Sequence, residues 1–190
     1  MDGVLRTEKA VLLGLIALLG TTGTLPGAVT GTAVAALAGL GVWLVGSLVK
    51  EDDKTSRWIR WIVLGTTGFA IAWLAAGLAD LIMPLTAQQL LHIRLIGVLP
   101  IVYYSCAKNI QVRPLVFTWL DFAAVMLITG FVRELAGKGT VWSNLPPWGW
   151  AIPADFMAAP FGAFLVPAVL ILAVRIVHSV RASGVQKEAA

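Results

Sequence analysis

Cysteine is nearly missing from this sequence: Cys106 is the only one among 190 residues. A single thiol excludes an internal disulfide and any metal site built from this chain's thiolates alone. Charge is scarce as well, at 13%, where soluble domains carry about 25%. There is no GxGxxG, P-loop, HExxH, CxxC or CxxCH, and no pair of transmembrane histidines at a spacing for haem. Alone, the chain has little means of catalysis.

What is abundant is apolar surface, with 58% hydrophobic residues and a mean hydropathy of +0.86. This composition excludes a soluble enzyme, a secreted disulfide scaffold and a disordered chain. One crossing of the hydrocarbon layer takes about 20 helical residues, so the length allows roughly six crossings with short connections. The net charge of +4 and pI near 9.6 are read as basic cytoplasmic loops, not as a nucleic-acid surface. Asp2 and Glu8 are unusual for the leading part of a signal peptide, so the apolar run from Ala10 is read as a first membrane segment.

Charged residues mark off the segments. Ala10 to Val49 is free of charge but interrupted by Thr21-Thr22-Gly23-Thr24-Leu25-Pro26-Gly27. Ala10 to Gly20 is then about 16 Å of helix, half a crossing, and Gly27 to Val49 is a full one. Trp61 to Ala79 forms a third. After Pro84 comes an amphipathic piece with Gln88, Gln89, His92 and Arg94, then a short fourth run from Leu95 to Ala107 containing Pro100. Pro114 to Val132 is the fifth and Phe156 to Val174 the sixth. The order short, long, long, twice over, predicts an all-α membrane protein with six transmembrane segments. They form a 3+3 inverted repeat (residues 10–83 and 93–180) in which segments 1 and 4 are half-helices. The breaks after Gly20 and Ala107 are expected deep in the layer, enclosed by protein.

Six crossings from a cytoplasmic N-terminus leave only Arg94, Arg133 and Lys138 outside, as the positive-inside rule favours. Trp58 and Trp61 fall at one interface, and Trp142, Trp148 and Trp150 at the other. In segment two, Gly27, Gly31, Ala35, Gly39 and Gly46 let helix backbones approach closely, within the chain or against another subunit.

Three residues are candidates for chemistry. Cys106 is expected near mid-membrane, either as a small buried hydrophobe or as a soft thiolate ligand to iron. Asp121 interrupts segment five. It marks an ion path if it lies at depth, together with Thr118, or an interfacial carboxylate if the segment starts late. Arg133-Glu134 closes segment five at the outer surface, with an ion pair as its plain reading.

Several stretches resemble the integral membrane subunits shared by the Rnf and Nqr respiratory complexes, on the branch of the Rnf E and Nqr D subunits. Leu13-Gly14-Leu15-Ile16-Ala17 stands where that family has L-G-L-C-P. Pro100-Ile101-Val102-Tyr103-Tyr104-Ser105-Cys106 keeps the family's spacing from proline to cysteine. Arg133-Glu134-Leu135-Ala136-Gly137-Lys138-Gly139-Thr140 resembles R-E-I-L-G-x-G-T, differing at Leu135 and Ala136, and Pro160 to Leu165 is similar to P-P-G-A-F-L. The resemblance implies a multi-pass protein of a prokaryotic cytoplasmic membrane with both termini cytoplasmic. It implies pairing with an oppositely oriented paralogous six-helix subunit, and a complex that includes ferredoxin-like or flavin-bearing subunits. A [2Fe–2S] cluster in mid-membrane, held by two cysteines from each of the paired subunits, passes electrons in a complex that pumps sodium or protons. Here Ile16 replaces the first cysteine, so Cys106 is the one candidate metal ligand and partner subunits must supply the rest. A scaffold or ion-path subunit without its own redox centre is the alternative.

Overall fold

The computed structural model describes residues 19–48, 53–83, 85–99, 112–142, 157 and 159–188. Among these the backbone is mostly helical and forms no strand. A helical turn at 19–21 ends in a break over 22–24. Then follow α1 (Leu25–Leu48), α2 (Asp53–Ile82), α3 (Ala87–Leu95, continued by a 3-10 turn over Ile96–Val98), α4 (Val112–Lys138) and α5 (Gly162–Glu188).

Leu25–Leu48 and Trp58–Ile82 are long and apolar enough to cross a membrane. At 24 and 25 residues they measure about 36–38 Å, against a hydrocarbon core of about 30 Å. Arg60 and Asp80, the charges bounding the apolar part of α2, stand about 30 Å apart along it.

Side-chain sizes are sorted inside out. The buried positions of α1 are Gly27, Ala28, Thr30, Gly31, Val34, Ala35, Ala38, Gly39, Val42 and Gly46. Its exposed ones include Leu37, Leu40, Leu44 and Leu48. In water the leucines would turn inward; small residues inside and large apolar ones outside suit an apolar solvent.

Close backbone approaches fix the register. A Cβ on Gly68 would lie 2.4 Å from the Gly97 carbonyl oxygen, and one on Gly97 equally near that of Gly68. Together with the Leu85 N–H donating to Asp80 Oδ1 at 3.0 Å, this makes α2 and α3 antiparallel neighbours running inward from a common turn. Gly39 backs onto Trp119, and Gly130 onto Ala28 and the Thr24 carbonyl, so α4 is antiparallel to α1. Between these helices lies the core of Val34, Ala35, Ala72, Ala76, Ile93, Ile96, Leu99, Phe122, Val125 and Met126.

Three expectations need revision. The fourth segment begins at Ala87, not Leu95: Thr86 and Gln89 form a capping box, and Ile93 and Ile96 are fully buried. Reckoned from there, mid-depth falls near Gly97, beside Gly68, and Cys106 lies outside the described residues. The break after Gly20 exists, but it sits where α2 finishes, α3 starts and α4 ends, at one end of the bundle and not at its middle. Finally, α4 runs on to Lys138, so Arg133 and Glu134 lie within it. Pro160 precedes α5 and Pro167 lies inside it.

Candidate functional site

The densest polar group is built around the break. Thr24 is the cap of α1: its Oγ1 accepts from the Gly27 N–H at 3.2 Å, and its carbonyl accepts from Ala28 at 3.0 Å. Pro26 has no N–H to satisfy. The remaining donor, the Leu25 N–H, bonds to Glu134 Oε2 from α4. Every donor of the first turn is thereby accounted for, and the carboxylate also meets the positive end of the helix dipole.

Arg133, next along α4, reaches different groups. Its Nη1 donates to Thr22 Oγ1 at 2.7 Å, its Nε to the Met157 carbonyl at 3.1 Å and its Nη2 to the Ala159 carbonyl at 3.0 Å. One guanidinium thus joins the first break to the turn that leads into α5. Both residues are buried, Arg133 to 3% and Glu134 to 1% exposure. Their side chains are therefore packed inside the chain at the end of the bundle where the break lies. Gly139, with φ 62°, ends α4 in the left-handed region that favours glycine, and lets Thr140 turn back to donate to Glu134 Oε1 at 3.4 Å.

Gln89 ties α3 into the same group. Its Nε2 donates to Thr24 Oγ1 at 2.9 Å, while its Oε1 accepts from the Thr86 N–H at 3.0 Å. Gly20 lies against the His92 ring, where any side chain would collide. One helical turn before Arg133, Thr129 is fully buried and its hydroxyl has no hydrogen-bond partner.

Of the residues singled out from sequence, Cys106 and Ile16 lie outside the described residues. Thr118 is in α4, one turn before Asp121; its side chain is likewise outside the description. Asp121 is half-buried. The pairings of Trp119 with Gly39 and of Gly130 with Ala28 set it level with Leu37, the middle of α1. Thr22, Thr24, Gln89 and Thr129 were missed by sequence reasoning. Only Thr86-x-x-Gln89, a readable capping box, carried a signal.

No protein-family model matches the chain, and no curated protein matches it.

Chemically, the group around the break holds chain segments together. Among the described residues no three of His, Cys, Asp and Glu gather as a metal site.

Proposed function

We propose that this chain is a multi-pass membrane subunit of an Rnf/Nqr-like electron-transfer complex, with six segments in two inverted halves in a prokaryotic cytoplasmic membrane. The observation that carries the reading is the role of Arg133-Glu134…Gly139-Thr140, the most specific part of the resemblance. Each of these residues works on the interrupted first segment: Arg133 bonds Thr22, Glu134 bonds the start of α1, Gly139 makes the turn and Thr140 supports Glu134. The outward leucines and the two long apolar helices support the membrane setting.

One thiol cannot supply the four ligands of a cluster, so a [2Fe–2S] centre would be held jointly, with Cys106 contributing one ligand and a paralogous subunit the others. The test is purification of the native complex with iron analysis and EPR. Loss of the cluster signal in Cys106→Ala supports the ligand role; unchanged iron and electron transfer removes it.

A scaffold or ion-path subunit without a redox centre is the second reading. It is favoured by Asp121, whose register with the middle of α1 is the kind of depth at which a carboxylate usually serves an ion or proton path. Asp121→Asn that abolishes ion transport while electron transfer continues would support it.

A further inference from the structure

Arg94, on α3, lies over the ring of Trp73, on α2, with its guanidinium carbon 4.0 Å from the ring centroid. Its Nε is buried and has no hydrogen-bond partner. Around it the surface is apolar: Phe69, Leu91, Leu95 and Val98 are all exposed, as is Trp73 itself. Phe69 and Trp73 pack as a tilted aromatic pair with centroids 5.5 Å apart. Among the described residues, the partner shown for the Arg94 guanidinium is this π-face.

The register gives its depth. Trp73 is seven residues before Asp80, and Arg94 nine after Leu85, which is hydrogen-bonded to Asp80. At 1.5 Å per residue both lie about 10–14 Å inward from that end of the bundle. On the membrane reading, this is well inside the hydrocarbon core, whose lipid phosphates stand outside it. A free arginine would snorkel toward them, but stacking on Trp73 holds the guanidinium down. A cation at such depth is stable when an anion meets it, and a lipid headgroup is too far away to do so.

We infer that the Phe69–Trp73–Arg94 face is an interface, covered by a membrane helix of a second polypeptide that carries an aspartate or glutamate opposite Arg94. The planar fork takes a carboxylate through two parallel bonds, and the surrounding leucine and aromatic surface packs against the helix that brings it. The inference rests on the membrane setting proposed above and adds to it a location and a partner chemistry.

The test uses the full chain in its native membrane. A photo-crosslinking amino acid is placed at Leu91 or Val98 on this face, and at Leu44 or Leu172 on other outward faces, with Arg94 intact. The expected result is a crosslink from Leu91 and Val98 to an apolar segment of another polypeptide containing Asp or Glu, identified by peptide mapping. Leu44 and Leu172 give no crosslink to that segment. Arg94→Gln lowers co-purification of that polypeptide by about tenfold or more, and Arg94→Glu is rescued when the partner's acid is exchanged for arginine. Crosslinks to lipid alone, or undiminished co-purification with Arg94→Gln, overturn the interface. Alkaline extraction of the same membranes separates the two ideas. Release of the chain into solution sinks the membrane setting and the interface together, whereas retention with lipid-only crosslinks sinks the interface alone.

Discussion

Gly68 and Gly97 touch backbone to backbone, each occupying the space where the other's side chain would begin. Alanine at either position would place a Cβ 2.4 Å from a carbonyl oxygen, and the obstructing atom is main chain, which cannot swing aside. Gly68→Ala and Gly97→Ala are therefore expected to destabilise by about 1–3 kcal/mol through overpacking. Gly77, on the same helix with nothing near its Cβ position, supplies the opposite sign: Gly77→Ala should gain roughly 0.5–1 kcal/mol from helix propensity. Thermal unfolding in detergent distinguishes the two, and equal effects at all three sites would refute the close crossing.

Glu134 is the second place where a single substitution is informative. Glu134→Ala leaves the Leu25 N–H without its charged acceptor and should cost about 1.5–3 kcal/mol. Glu134→Gln keeps a carbonyl acceptor and should cost less. Hydrogen exchange at the start of α1 should rise more in the alanine variant than in the glutamine one, with α2 protected in both.

At Thr129 the expected direction is stabilising. A fully buried hydroxyl without a partner costs about 1–3 kcal/mol, so Thr129→Val should raise the denaturation midpoint. A lowered midpoint would mean that the hydroxyl meets a group of its own in the folded protein.

The outward leucines test the surrounding medium. With Cys106 replaced by serine, single cysteines at Leu37, Leu40 and Leu44 should resist a water-soluble maleimide in native membranes. A cysteine in place of Thr86, exposed at the start of α3, should react. Rapid labelling at the leucine positions would contradict a lipid-facing α1.

The long helices were readable because a charge-free run of the right length has few alternatives, and Thr-Thr-Gly-Thr-Leu-Pro-Gly announced the first break. Which side of α1 faces inward was legible only in residue size: the helix is apolar all round, but Gly27, Gly31, Ala35, Gly39 and Gly46, spaced by fours and a seven, are among its buried positions. The start of α3 was signalled by the capping box Thr86-x-x-Gln89, but the membrane role of the helix was masked by Gln88, Gln89, His92 and Arg94. Their polarity resembles a surface piece until Gln89 is seen bonding to Thr24 and Arg94 stacking on Trp73. The burial of Arg133 and Glu134 was equally out of reach. Their partners are a main-chain N–H and a hydroxyl more than a hundred positions away, and no local window holds both ends of such a bond.

The Glu134 contact with Leu25 has a bearing on how the protein is made. The two residues are separated by 109 positions, so at roughly 5–20 residues per second the start of α1 leaves the ribosome on the order of 5–20 s before its acceptor exists. During that interval the nascent hairpin of α1 and α2 has an unsatisfied amide that water, or the insertion machinery, must shelter. Truncated chains ending before α4 should accordingly be poor substrates for stable insertion and good ones for quality-control proteases.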